Sequence, residues 1–164
     1  MRFLVDSSSL INLVNADAHK MVFHLPEHEF WIPPLVVGET DPSCAADVLQ
    51  LQGAGLVNLL DDDQIDGDLF LYLLGKHGLG SGETECIAVA LNSDFGMCCD
   101  DGKARTIART LIGDERVVGT IKLLRWCVDD AITTCDGAFQ MFEQMKTSGG
   151  FLPNMQHKYF CGAD

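Results

Sequence analysis

Residues 2–15, RFLVDSSSLINLVN, contain the local pattern that indicates the fold class. The apolar run within Arg2–Val5 predicts a short buried β-strand, which stops abruptly at Asp6 and the three serines after it. Ser7–Asn15 then carries apolar residues at helical spacing, which predicts a helix packed on one face. A strand that runs directly into a helix is the repeating unit of α/β folds.

The same unit recurs along the rest of the chain. Further strands are predicted at Phe30–Ile32, Leu56–Leu60, Phe95–Cys99 and Val117–Val118. Further helices are predicted at Leu35–Gly53 (in two pieces, broken near Pro42), Ile65–Lys76, Glu83–Leu91, Lys103–Leu111, 119–126 and Ala131–Lys146. This alternation predicts an α/β fold: a three-layer α/β/α sandwich around a mainly parallel sheet of about five strands. We expect one domain over residues 1–164, with a C-terminal helical extension over about 131–164.

The composition favours a globular cytoplasmic protein. Hydrophobic residues make up 47% of the chain, which excludes a disordered protein. No apolar run reaches the roughly 18–20 residues that a membrane span requires, and the N-terminus lacks the pattern of a signal peptide. The seven cysteines are odd in number and form no CxxC pair, so we expect reduced, mostly buried thiols rather than disulfides or a zinc site.

The net charge of −13 is distributed unevenly. Residues 1–101 hold 17 acids and 3 bases, a balance of −14, whereas residues 102–164 hold 7 acids and 8 bases, a balance of +1. An acidic protein repels nucleic acid at long range, but a local basic patch can still hold a phosphate backbone. The candidates for contact with substrate phosphates are Lys103, Arg105 and Arg109. Ordinary surface ion pairs with Asp114 and Glu115 are the alternative interpretation of these bases.

Two predicted strands end directly in aspartate, the first at Asp6 and the fourth at Asp100 and Asp101. Sites in open α/β sheets form beyond the carboxyl ends of the strands. If the two strands are neighbours, three like charges share one crevice, which is costly unless a cation or protons neutralise them. Hard oxygen ligands favour Mg²⁺ or Mn²⁺. Taken singly, each acid has a simpler interpretation as a helix cap or a solvated turn residue.

The stretch VDSSSLINL resembles the opening strand and helix of the PIN-domain nucleases. IPPLVVGE resembles their second strand and its glutamate, and GSGETECIAVAL resembles the helix that carries their third acid. MCCDDGKARTIA resembles the fourth strand with its terminal aspartate, and VVGTIKLL resembles the last strand and helix. The segments span roughly residues 2–125, and their order and spacing are more specific than any single motif.

This resemblance implies an α/β/α nuclease that uses Mg²⁺ or Mn²⁺ to cut RNA, often as the toxin of a toxin–antitoxin pair. The acids that would act as metal ligands and catalytic groups are Asp6, Glu39, Glu85, Asp100 and Asp101. Glu85 is preferred to Glu83 because it directly precedes the apolar run CIAVAL. Ser8 matches a position that supports the first aspartate, and Thr120 is assigned a similar supporting role. The expected partners are an RNA substrate, an antitoxin protein and a second copy of the chain, with no membrane.

Two other functions are compatible with the same residues. A PIN-like protein without catalytic activity could act as a binding or regulatory protein through its acidic surface. A phosphotransfer enzyme of the receiver or haloacid-dehalogenase type also places aspartates at strand ends. Asp6 is followed by Ser7 and Ser8, so the DxD signature of the dehalogenase group is absent.

Overall fold

The computed structural model describes residues 1–162, and a parallel sheet of five strands lies at its centre. The strands are β1 Arg2–Val5, β2 Glu29–Ile32, β3 Asn58–Leu59, β4 Gly96–Cys98 and β5 Val117–Val118. Their spatial order is β3-β2-β1-β4-β5, and every neighbouring pair is parallel. The predicted α/β architecture with a parallel sheet is therefore confirmed.

Helices flank the sheet, as the alternating pattern predicted. They are α1 Ser7–Asn15, α2 His19–Val22, α3 Pro34–Glu39, α4 Pro42–Gly53, α5 Gly67–His77, α6 Ser81–Leu91, α7 Gly102–Ile112, α8 Thr120–Asp129, α9 Cys135–Thr147 and α10 His157–Phe160. The break predicted near Pro42 separates α3 from α4. Asp41 causes it locally, because its carboxylate accepts hydrogen bonds from Ser43 N and Cys44 N and so caps a new helix.

The central strand β1 explains how the sheet positions the strand-end acids. Phe3, Leu4 and Val5 are fully buried, as expected for a parallel strand covered on both faces. Val5 pairs with Cys98 of β4, and the pairing extends one residue past β1 through a bond from Asp6 N to Cys98 O of 3.0 Å. The carboxyl ends of β1 and β4 therefore lie side by side.

Two predictions about element boundaries differ clearly from the structure. The third strand has only two residues, Asn58–Leu59. The last long helix begins at Cys135 instead of Ala131, because Ala131 has a φ of 56° and Thr134 provides the N-cap by accepting from Gly137 N. The C-terminal extension contains α9 and α10, and its last two residues, Ala163 and Asp164, lie outside the described residues.

The structure also bears on the expectations from composition. Within residues 1–162, none of the helices combines the length and the apolar character needed to cross a bilayer. Five of the seven cysteines are buried, which agrees with their interpretation as small core residues. The cytoplasmic location stays a prediction.

Candidate active site

Asp6 is the innermost acid of the site and is fully buried at the end of β1. Its side chain caps α1: Ser9 N donates to Oδ1 across 2.9 Å, and the Ser8 hydroxyl donates to Oδ2 across 2.9 Å. The capping role considered from the sequence is therefore present. It leaves the carboxylate fixed in position beside the end of β4.

Burial raises the pKa of the Asp6 carboxyl from 3.8 to about 6. Hydrogen bonds from Ser9 N and from the Cys99 thiol oppose this shift, and the charge of Asp100 adds to it. Asp6 is thus a carboxylate that gains from a nearby cation, because a cation would offset both its burial and its repulsion from Asp100.

The hydroxyl group of Ser8 links Asp6 to Asp100. Ser8 Oγ donates to Asp6 and accepts a hydrogen bond from Asp100 N across 3.2 Å. The Asp100 carboxylate accepts from Thr120 N at 2.9 Å, Thr120 Oγ1 at 2.7 Å and Asn12 Nδ2 at 2.8 Å, with a longer contact of 3.4 Å from Arg105. Ser8 and Thr120 therefore contact and orient these two aspartates, and their supporting role in catalysis stays a prediction.

Glu39 lies at the end of α3, is exposed, and faces the start of α1 and α6. Ser7 Oγ donates to Glu39 Oε2 across 2.7 Å, and Gly82 N donates to Oε1 across 2.9 Å. A Cβ at position 82 would lie 2.7 Å from Glu39 Oε2 and 2.9 Å from a methyl of Val36. The glycine therefore permits the close approach of α6 that orients Glu39.

Glu83 and Asp101 join Glu39 in an outer group of acids. Glu83 is half-buried and its carboxylate accepts from Gly80 N, which closes the first turn of α6. Burial raises the pKa of Glu83, and the charges of Asp101 and Glu39 raise it further. Asp101 is exposed and caps α7 by accepting from Ala104 N across 2.8 Å. These three carboxylates therefore share one region of negative potential.

Glu85 has a different environment. It is 1% exposed, and its Oε2 accepts a hydrogen bond from Leu35 N, in the first turn of α3, across 3.0 Å. Burial raises the pKa of Glu85 to about 7, the charges of Asp62 and Glu39 add to the shift, and bonds from Leu35 N and Val36 N oppose it. Its carboxylate thus satisfies the amino end of α3. Its assignment as a metal ligand stays a prediction, and these contacts count against it.

The three predicted phosphate-binding bases occupy distinct positions. Arg105 donates twice to Cys99 O, at 3.0 and 2.8 Å, and contacts Asp100. Arg109 pairs with Asp114 at 2.9 Å, which is the surface ion pair considered from the sequence. Lys103 Nζ donates to Gly78 O across 2.8 Å. Arg105 is therefore the member of this group that touches an acid of the site.

A pocket of about 220 Å³ opens beside Asp100 and Asp101. It lies between α1, the start of α7 and the segment that follows α9, and it is lined by Ser8, Ile11, Asn12, Asp100, Asp101, Gly149, Gly150 and Phe151. The strand-end aspartates and Phe151 therefore line one pocket.

The acids present suit a hard dication. All of them offer carboxylate oxygens, and burial, with a smaller contribution from neighbouring acids, raises the pKa of both Asp6 and Glu83. Within residues 1–162, no group of three or more His, Cys, Asp or Glu side chains is placed so that it could hold a metal ion. An inner pair, Asp6 and Asp100, lies beside the outer group Glu39, Glu83 and Asp101. Mg²⁺ accepts such a site, because it usually keeps several waters and takes one or two protein carboxylates.

Sequence reasoning missed two residues of this region. Asn12, which orients Asp100, lies four positions after Ser8, and this spacing places both side chains on one face of α1. The sequence favoured Glu85 over Glu83 as the third acid of the site, because Glu85 directly precedes the apolar run CIAVAL. That run marks the buried face of α6, which explains why Glu85 turns inward and Glu83 faces the other acids.

Comparisons with known proteins agree with this architecture. The family model DUF3368, described as a PIN domain, matches residues 2–159. The crystal structure of PAE2754 from Pyrobaculum aerophilum is similar, with a TM-score of 0.51 and 19% sequence identity over 78% of this chain and 99% of that chain. At this identity the likeness concerns the fold alone. No match is found among curated proteins.

Proposed function

Because the chain belongs to the PIN-domain family, which has a nuclease-type fold, we propose that it is a metal-dependent endoribonuclease. Its reaction would be hydrolysis of RNA phosphodiester bonds with Mg²⁺ or Mn²⁺ as the cofactor. The observation that carries the proposal is the contact through Ser8, which joins the buried carboxylate of Asp6 to the backbone of Asp100. Two acids from neighbouring strands thereby form a site that a dication would stabilise.

The proposed ligand set has two parts. Asp6 and Asp100 would hold the dication at the ends of β1 and β4. Glu39, Glu83 and Asp101 would complete the site directly or through water, consistent with the few protein ligands that Mg²⁺ requires. Glu83 replaces Glu85 in this set, because Glu85 is hydrogen-bonded to the first turn of α3.

The bound dication and the residues of the site would each have a separate role in the hydrolysis. A bound Mg²⁺ or Mn²⁺ lowers the pKa of water and offsets charge that develops on the phosphate. A carboxylate of the outer group that does not bind the dication would orient the attacking water or accept its proton. Asn12 and Thr120 keep the Asp100 carboxylate in one orientation. Arg105 adds a fixed positive charge beside Asp100 for the substrate phosphate.

The test is Asp6→Asn, compared with Asp63→Asn in the exposed 3₁₀ turn before α5. Asparagine can still cap α1, so the variant should keep its circular dichroism spectrum and fold. We expect Asp6→Asn to lose Mn²⁺-dependent RNA cleavage and Mn²⁺-induced thermal stabilisation, whereas Asp63→Asn keeps both. Undiminished Mn²⁺-dependent cleavage by Asp6→Asn would overturn this assignment.

The proposal extends to a role as the toxin of a toxin–antitoxin pair, which the family resemblance suggests. Induced expression of the wild-type chain should then arrest bacterial growth, and expression of Asp6→Asn should not. Growth arrest by both proteins to the same extent would separate the toxicity from RNA cleavage. The antitoxin partner and the homodimer stay predictions.

An inert PIN-like protein that binds partners through its acidic surface is the alternative. The net charge of −13 favours it. Such a protein would not cleave RNA in Mn²⁺ under any condition in which it remains folded, and Asp6→Asn would not change its partner binding. The family assignment gives no support to a phosphotransfer function.

A further inference from the structure

Phe151 stands out among the aromatic residues of the protein. It is 101% exposed, whereas the eight other phenylalanines are buried or half-buried. No other ring lies against it in the part of the chain that the structure describes. Single exposed apolar residues are common on protein surfaces, so it is the place of Phe151 in the pocket of the strand-end acids that points to a role.

The location of Phe151 connects it with the acids of the site. The residue lines the same pocket as Asp100 and Asp101. Its neighbours in the pocket include the polar Ser8 and Asn12 and the apolar Ile11. Stacking on a nucleobase requires a free ring face, which the exposed Phe151 offers beside these acids.

The backbone before Phe151 is held in a defined turn. Gly149 has a φ of 96°, and Gly150 N donates to Met145 O at the end of α9 across 2.9 Å. A Cβ at Gly150 would lie 2.6 Å from Asn12 Oδ1 and 2.7 Å from Met145 O, so the turn packs tightly against Asn12. Asn12 in turn orients Asp100. The position of Phe151 is therefore tied to that of the strand-end aspartate.

We propose that Phe151 is a substrate-binding residue that stacks on an unpaired RNA base next to the phosphate being cut. This inference rests on the proposed ribonuclease function and defines its substrate further. Stacking on the ring requires a base free of its partner strand, so the site would favour single-stranded segments. A phenyl ring stacks on every base, so Phe151 would bind the strand without selecting one sequence.

A binding experiment tests the proposal without cleavage. In Asp6→Asn protein, which leaves the RNA intact, affinity for a fluorescently labelled single-stranded RNA is measured by anisotropy. Adding Phe151→Ala should weaken binding on the order of 10-fold, the usual effect of losing one stacked base. Phe151→Trp should restore it. The control is Tyr72→Ala, which removes an exposed aromatic ring from α5 and should leave binding unchanged.

A cleavage experiment locates the stacked base. RNAs that carry one abasic nucleotide at successive positions are cut by wild-type protein and by Phe151→Ala. For the wild type, one abasic position near the cut should raise KM about 10-fold. Phe151→Ala should show the raised KM with the intact RNA and no further increase with that abasic RNA.

The outcomes separate the two proposals. Wild-type protein that cuts RNA in an Asp6-dependent way, with Phe151→Ala equal to it in KM and affinity, would overturn the stacking inference alone. The stacking inference would also be overturned if Phe151→Ala and every abasic position raised KM by independent factors that multiply. Wild-type protein that cuts no RNA in Mg²⁺ or Mn²⁺ would overturn the ribonuclease function, and the stacking inference with it.

Discussion

Thr120 donates hydrogen bonds to both carboxylate oxygens of Asp100: its backbone N donates to Oδ1 across 2.9 Å, and its hydroxyl donates to Oδ2 across 2.7 Å. Both residues are buried, so these bonds form where water competes little. The start of α8 thereby determines the orientation of the acid that ends β4.

Thr120→Val should therefore destabilise the protein by about 1.5–3 kcal/mol, because a carboxylate loses a buried hydrogen bond. Cleavage should fall roughly 10- to 100-fold, as for other residues that orient metal ligands. Chemical unfolding and kcat/KM measure the two effects. The control is Thr120→Ser, which keeps the hydroxyl and should remain close to wild type in activity. Equal activity of the valine and serine variants would contradict the orienting role.

Glu83 and Glu85 provide a direct comparison of two acids on one helix. Glu83→Gln should weaken Mn²⁺ binding and cleavage, on the order of 10-fold or more, because Glu83 shares its negative region with Glu39 and Asp101. Glu85→Gln should keep most of both, because its carboxylate faces the first turn of α3. Calorimetric Mn²⁺ titration and cleavage assays test the pair. The reverse pattern would restore Glu85 to the ligand set.

Glu85 should also make stability depend on pH. Its pKa rises from 4.5 to about 7 in the folded protein, so the folded state keeps a proton that the unfolded chain releases between these values. The contribution of Glu85 to the free energy of unfolding is thus fully present below pH 4.5, and it is lost as the pH rises toward 7. Glu85→Gln should unfold like wild type near pH 4.5 and be more stable near pH 8, by roughly 1–2 kcal/mol. Asp63→Asn serves as the exposed control, and an unchanged difference between Glu85→Gln and wild type across this range would contradict the expectation.

The raised pKa of Asp6 predicts how pH affects metal binding. Because its carboxyl titrates near pH 6, protons compete with the dication below that pH. The apparent affinity for Mn²⁺ should be nearly constant above pH 7 and fall about 10-fold for each pH unit below 6. Isothermal titration between pH 5 and 8 measures this. Equal affinity at pH 5 and pH 7 would show that Asp6 is not a ligand.

Much of the architecture follows from local pattern. The strand β1 and the helix α1 lie where the apolar run and the helical spacing predicted them, and the break between α3 and α4 follows from Asp41 and Pro42. Such features depend on residues near each other along the chain, so their signals are present in the sequence. The start of α9 was missed because the positive φ of Ala131 reflects the turn after α8 and not its own preference.

The sequence by itself determined that Asp6 and Asp100 terminate strands, because each directly follows a buried apolar run. Only the tertiary structure decided which other acids lie near them. Glu83 and Glu85 are two residues apart and therefore point about 200° apart around the helix. Because α6 packs against α3, Glu85 faces the first turn of α3 and Glu83 faces Glu39 and Asp101. Phe151 likewise lines the pocket beside Asp100 only because the turn after α9 packs on Asn12. That contact joins residues more than a hundred positions apart in the sequence.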